Sequence, residues 1–199
     1  MLFNNIDDGY NYIRTQININ GFKIKDQRGD TVKSLPFIAV SFWNFYTKGG
    51  NVKIPKVPKF SKIQGQALEN YAQQLQDGDL QDFVYTYGNR FMKYFDVNQY
   101  DVMKEKIRED PNTRRAVAFT FDVVNDNDKE DIPCLQFIQL MCYDNRLYMT
   151  VVFRSNDIKY AFASNIYGLM KLHIKFADDL GLKVGDFNYV CNNAHWKLK

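Results

Sequence analysis

Cysteine is scarce in this chain of 199 residues: Cys134, Cys142 and Cys191 are an odd number at wide spacing, with no Cys-x-x-Cys pair. That suggests no disulfide framework and, with only His173 and His195 to help, no zinc-binding set. No apolar run approaches membrane-spanning length, and the segment from Met1 to Tyr10 lacks the basic and apolar blocks of a secretion signal. A soluble, cytoplasmic protein without a membrane partner is expected. A surplus of one charge is also missing: 26 Lys and Arg face 23 Asp and Glu, a net charge of +3 scattered along the chain. This gives no ground for a nucleic-acid partner, although a site for one small anion needs only a few basic residues. Repeats and low-complexity tracts are absent too.

What the chain has in quantity is apolar and aromatic side chains, at 45% and 16% of residues. At this length they suffice for one domain, residues 1–199, with a sizeable core. The most informative stretch runs from Asp131 to Asp157. Apolar runs from Leu135 to Tyr143 and from Arg146 to Phe153 flank Asp144-Asn145, which predicts a β-hairpin. Antiparallel pairing about that turn brings Arg154 beside Pro133 and Cys134. A guanidinium near a thiol favours the thiolate, the nucleophilic form.

Elsewhere the pattern alternates helix and strand. Ile6, Tyr10, Ile13 and Ile17 recur at helical spacing, Phe22 to Lys25 reads as a strand, and Asp26-Gln27-Arg28-Gly29-Asp30 as a turn. Phe37 to Tyr46 suits a buried strand ended by Lys48-Gly49-Gly50, and the prolines between Lys53 and Lys59 mark an extended connection. Ser61 and Gln64 fit a capping box opening a helix to Gln76, with Ile63, Ala67, Tyr71 and Leu75 inward and Glu69 exposed. Phe83 to Arg90 reads as a short aromatic strand, and Asn98 to Glu109 as a helix with Tyr100, Met103 and Ile107 inward. Arg114 and Arg115 precede an alternating strand from Ala116 to Val124. Ile158 to Leu180 is the longest helix, with Asn165 bordering its apolar stripe, and a last strand spans Phe187 to Cys191. The expected class is α/β (α+β): one domain in which a curved mixed sheet is flanked by helices.

Seven blocks in register then carry a resemblance. They are Tyr87-Gly88-Asn89-Arg90, Asp110 to Arg115, Pro133-Cys134, Arg154-Ser155-Asn156-Asp157, Asn165, Gly181 to Phe187, and Ala194-His195. In order and spacing this set resembles the thymidylate synthase family from about Phe83 to His195, and is most similar to its short archaeal-type branch. The first eighty residues match poorly apart from the Arg28-Gly29 turn.

The resemblance implies a homodimeric enzyme that moves a one-carbon unit from 5,10-methylenetetrahydrofolate to C5 of a pyrimidine deoxynucleotide monophosphate, dUMP before dCMP. Cys134 is then the nucleophile that adds to C6, dividing a difficult substitution into two easier steps. Arg154 serves both thiol and phosphate, a task its planar fork suits. The resemblance also assigns Ser155 to the phosphate, Arg28 to a flexible-loop contact, and Arg114 with Arg115 to the partner's phosphate across the interface. By the same resemblance Asn165 reads the base, Tyr87 stands near the proton-abstracting centre, Asp157 contacts base and folate, and His195 lies near the sugar. Glu69 is the expected catalytic glutamate.

Departures from the family pattern keep other outcomes open. Leu135 follows the cysteine where a histidine is usual, Lys197 stands in the place of a sugar-binding tyrosine, and no tryptophan precedes Tyr87 at the shielding position. The sequence ends at Lys199, without the tail that closes over folate in longer members. Since closure excludes water from a reactive intermediate, a deoxyuridylate or deoxycytidylate 5-hydroxymethylase is the alternative, with an inactive nucleotide-binding relative as a third.

Overall fold

The computed structural model describes residues 1–43, 61–80 and 83–198. The Lys53 to Lys59 connection, and the end of the strand expected as far as Tyr46, lie outside the described residues. In chain order the elements are β1 (Leu2–Phe3), α1 (Ile6–Asn20), β2 (Phe22–Lys25), β3 (Thr31–Phe42), α2 (Gln66–Gln74), α3 (Tyr87–Met92), α4 (Gln99–Glu109), β4 (Val117–Phe119), β5 (Leu135–Tyr143), β6 (Arg146–Phe153), β7 (Asn156–Asp157), α5 (Phe162–Leu180) and β8 (Lys183–Lys197). The strands form one mixed sheet in the order β1-β3-β8-β6-β5-β4, with β2 added to β3 and β7 to β8. β8 is its centre, antiparallel to β3 and parallel to β6.

Strand alternation decides which side the helices cover. Ile38, Val40, Phe42, Leu140, Met149, Val151, Phe187 and Tyr189 are buried on one face of the sheet. Against it lies α5, whose Phe162, Ile166, Leu169 and Phe176 are also buried. Each such side chain contributes roughly 1.5–3 kcal/mol through its removal from water. α1 adds Ile13 and Ile17, started by the Asn5 side chain, which accepts from the Asp8 N–H. Among the described residues no helix covers the opposite face. Across it the register aligns Phe119, Phe137, Val152, Val190 and Ala39, one per strand, and none of them is fully buried.

Several expected boundaries move, each for a local reason. Phe83 to Arg90 is not a strand: the Thr86 hydroxyl accepts from the Asn89 N–H and caps α3. Gly88 there packs so closely that a Cβ would lie 2.0 Å from the Asp77 carbonyl oxygen, so only glycine lets α3 form at that spot. α2 begins after Gly65, since the Ser61 hydroxyl donates to the Ile63 carbonyl and Gln64 Nε2 to the Ser61 carbonyl instead of forming a capping box. Its inward residues are Leu68, Ala72 and Leu75, so Ala67 faces solvent and Tyr71 lies at the edge of the buried stripe. β4 stops at Phe119 because Asp122 accepts from the N–H groups of Val124 and Asn125 and turns the chain. α5 starts at Phe162, four residues beyond Ile158, because the Asp157 carboxylate takes the N–H groups of Lys159 and Tyr160 into a turn first. β3 begins earlier than expected, at Thr31, and β8 runs far beyond Phe187 to Cys191 in both directions, because each pairs with the other along its length.

Candidate active site

The predicted hairpin is present, with β5 and β6 antiparallel about Asp144 and Asn145. Its open end carries Cys134 just before β5 and Arg154 just after β6, and the Arg154 N–H donates to the Cys134 carbonyl at 2.8 Å. The pairing shifts by one residue between Leu135 and Phe137, an irregularity of the kind that re-aims a strand end. The Arg154 guanidinium turns back over this end, donating from Nε to the Pro133 carbonyl at 3.1 Å and from Nη2 to the Ile132 carbonyl at 2.9 Å. Both acceptors are neutral, so the positive charge is held in place without being cancelled.

The hairpin mouth opens into a cleft of about 760 Å³. Of the expected residues, Arg28, Tyr87, Cys134, Arg154, Ser155, Asp157, Asn165 and His195 line it together. β7 and β8 account for two of these, because Asp157 pairs with His195 in the parallel register, and just before β7 the Ser155 hydroxyl lies 3.2 Å from His195 Nδ1. Arg28 arrives on the turn of the β2–β3 hairpin, where Asp26 accepts from its backbone N–H at 3.0 Å, and its guanidinium pairs with Asp131 at the exposed rim.

Three expected residues are elsewhere. Glu69 does not line the cleft: it sits on the outer side of α2, hydrogen-bonded to the Tyr167 hydroxyl and ion-paired with Lys171. Arg114 and Arg115 are exposed at the entrance to β4, away from the cleft of their own chain. Lys197, in the place of the family's sugar-binding tyrosine, is ion-paired with Asp30.

Electrostatics around the thiol differ in balance from the sequence-based expectation. Burial pushes the Cys134 thiol up, while the Arg154 and Arg28 guanidinium groups pull it down without overcoming that burial, and Asp131 opposes them. Phenols line the same cleft as the sulfur. The Leu135 N–H donates to the Tyr87 hydroxyl at 3.2 Å, and burial pushes the Tyr85 and Tyr87 phenols above their ordinary range. Tyr71 joins them from α2, and its hydroxyl donates to Asn165 Oδ1. Asn165 Nδ2 in turn donates to Asn156 Oδ1 at 3.3 Å. Sequence reasoning passed over Tyr71, Tyr85 and Asn156. Tyr71 sits at the border of an apolar helical stripe with a polar tip, a signal that fits a cleft wall as well as a core position.

The fold thus defines an α/β protein with a cleft lined by a thiol and guanidinium groups. A family model described as thymidylate synthase matches residues 24–197. A protein of Methanothermobacter thermautotrophicus named "Putative thymidylate synthase" is 30% identical over 96% of this chain and 90% of its own length. Proteins of the same name from Methanosarcina barkeri (32% identical, 94% of this chain, 82% of the relative) and Methanocaldococcus jannaschii (34%, 73% and 69%) are similar too. The chain belongs to the thymidylate synthase family, whose members are methyltransferase-type enzymes. Among the described residues no helix is long and apolar enough to cross a membrane.

Proposed function

We propose that the protein transfers a one-carbon unit to C5 of dUMP through a covalent bond between Cys134 and C6 of the uracil ring, giving dTMP. The observation that carries this reading is the Cys134–Arg154 junction at the hairpin mouth, facing Asn165 across the same cleft. Cys134 Sγ attacks C6 as the thiolate, and the ring then carries its negative charge at C5 and O4. Because burial disfavours the thiolate in the free protein, the guanidinium groups of Arg154 and Arg28 are what bring the nucleophilic form within reach. Arg154 and Ser155 hold the phosphate, and the fork geometry of arginine suits that dianion.

Asn165 reads the uracil edge, His195 stands by the sugar, and Asp157 lies toward base and folate. With Glu69 turned away on α2, the hydroxyls of Tyr87, Tyr85 and Tyr71 in the cleft hold a proton or an ordered water for the reacting ring. 5,10-Methylenetetrahydrofolate, when bound, supplies the carbon and the reducing hydride. Ile24, Ile63, Ile132 and Tyr160 give the same cleft the apolar wall that a flat ring system requires.

The active form is a two-fold dimer. Support comes from the apolar row Phe119, Phe137, Val152, Val190 and Ala39, which no helix among the described residues covers, a surface of the sort soluble monomers seldom leave open. Arg114 and Arg115, exposed beside that face and unused by their own cleft, complete the cleft of the partner subunit.

The test is the Cys134→Ser variant assayed by tritium release from 5-labelled dUMP with product mass. Turnover is expected to vanish while dUMP binding persists, and the wild-type product is expected to carry a methyl group. Undiminished turnover in Cys134→Ser overturns the proposal; a hydroxymethyl product reassigns the reaction.

A further inference from the structure

Thr120, the residue after β4, is fully buried, yet it carries a hydroxyl where valine would have the same shape and no polar atom to satisfy. A buried hydroxyl is unfavourable unless it is hydrogen-bonded. Its partner is the carbonyl of Leu135, the residue that follows Cys134. A carbonyl has no hydrogen to give, so the hydroxyl donates and the bond runs one way only. Thr120 does not line the cleft, and its hydroxyl therefore acts on the site through that carbonyl.

The irregular start of β5 explains why a side chain is needed there. In a regular strand the carbonyls of successive residues turn to opposite neighbours. Here those of Leu135 and Gln136 both turn to Thr120, at the place where the β5 register shifts between Leu135 and Phe137. Two residues of one strand then oppose a single residue of the next, which is the geometry of a bulge. The Thr120 N–H serves the Gln136 carbonyl at 3.1 Å, and the hydroxyl supplies the second donor, for Leu135. Thr120 is itself well fixed. Arg90 Nη1 donates to its carbonyl at 3.4 Å, and the Gln99 amide brackets the preceding Phe119, accepting from its N–H at 2.8 Å and donating to its carbonyl at 2.9 Å.

The peptide between Cys134 and Leu135 is held as well. Its carbonyl accepts from the Arg154 N–H at 2.8 Å, and its N–H donates to the Tyr87 hydroxyl at 3.2 Å. With the next peptide tied to Thr120, two successive planes are fixed, and so are the backbone angles of Leu135 between them. Those angles set the direction in which the chain, with Cys134 at its end, leaves the sheet for the cleft. We propose that Thr120 is a positioning residue: its hydroxyl ties down the bulged start of β5 and so aims the Cys134 sulfur into the cleft. The proposal rests on the reading of Cys134 as the nucleophile. Without the hydroxyl, the Leu135 carbonyl loses its donor from Thr120 in the interior, and the strand end regains one only by shifting, which carries Cys134 with it.

The experiment compares the full chain as wild type, Thr120→Val and Thr120→Ser, each checked by a thermal melt. Tritium release from 5-labelled dUMP gives kcat and KM, calorimetry gives dUMP affinity, and peptide mass follows alkylation of Cys134 by iodoacetamide in the free protein. Thr120→Val is expected to lower kcat about tenfold or more, since a reacting group misplaced by about 1 Å costs on the order of 100-fold. Its dUMP affinity is expected to stay within about twofold of wild type, because every group that holds the nucleotide is kept. The alkylation rate is expected to shift in the same variant. Thr120→Ser keeps the hydroxyl and is expected to restore both kcat and the alkylation rate. Thr120→Ala, which also lacks the hydroxyl, takes the place of Thr120→Val if that variant does not fold. Unchanged kcat in a folded variant without the hydroxyl, or equal losses in Thr120→Val and Thr120→Ser, overturns the positioning role, because a part in stability alone moves the melt and spares kcat. Wild-type protein that neither binds dUMP nor releases tritium overturns the nucleophile reading instead. The alkylation comparison, which needs no nucleotide, then still decides whether Thr120 aims the sulfur.

Discussion

Two arginines in this molecule are held as firmly as each other and prepared for opposite ends. Arg90, on α3, is buried, forms paired 2.8 Å hydrogen bonds with the fully buried Asp126, and lies with its guanidinium carbon 3.9 Å from the Tyr94 ring centre. Arg154 is fixed by two backbone carbonyls at the edge of a cleft, and among the described residues it has no carboxylate in ion-pair contact. Neutral acceptors orient a guanidinium while sparing its charge for a ligand; a buried carboxylate orients it and consumes the charge. The counter-group, more than the arginine, separates a structural knot from a binding site.

The same substitution at both positions breaks the comparison most sharply. Arg90→Met strands the Asp126 carboxylate in the interior and is expected to remove about 3–5 kcal/mol of stability in urea unfolding. Arg154→Met leaves only two carbonyls short of a donor, so its stability loss should be about 1–2 kcal/mol. Its dUMP affinity, read by calorimetry, should fall on the order of 100-fold, since a charge-assisted phosphate contact is roughly twice as strong as a neutral one. Similar stability losses for the two variants, or unaltered dUMP affinity in Arg154→Met, would erase the distinction.

A pH titration of stability sharpens it further, with a smaller effect. His173 is buried on α5 with Nε2 2.7 Å from the Leu147 carbonyl, and desolvation lowers its pKa from 6.5 to about 4. Between those values the unfolded chain takes up a proton that the folded chain refuses, so stability is fully present above pH 6.5 and declines as pH falls, by up to about 3 kcal/mol. Asp126 enters at lower pH. Burial tends to push its carboxyl up, but the Arg90 fork, the Asp122 N–H and Lys129 hold it below the ordinary value. Its contribution is present above the unfolded carboxylate pKa and is lost as pH drops through the depressed one. Urea midpoints from pH 8 to 3 should show a first decline between pH 6.5 and 4, which vanishes in His173→Phe if that variant folds, and a further fall below it. A flat profile down to pH 4 contradicts the assignment to His173.

How much of this was legible in the chain varies with the range of the interaction. The β5–β6 hairpin was readable from two apolar runs about Asp144-Asn145, and with it the meeting of Cys134 and Arg154, because a tight turn fixes register locally. α4 followed from its period and the Asp110-Pro111 stop. Phe83 to Arg90 misled, because its aromatic density suggests a strand while the cap from Thr86 and the close packing of Gly88 impose α3. Glu69 was chosen for its carboxylate and its place on a helix. The face it presents is set by how α2 rests on α5, and that turns Tyr71 to the cleft and Glu69 outward.

By itself the sequence determined the periodic elements, the hairpin junction of thiol and guanidinium, and the family blocks, all of which depend on neighbours along the chain or on residue type in fixed order. Only the tertiary structure decided that burial outweighs the arginines at the free thiol, that two carbonyls leave Arg154 its charge, and that Tyr71 and Asn156 hydrogen-bond the Asn165 amide. Those facts depend on distances between segments remote in sequence, and on the water excluded between them, which no local pattern encodes.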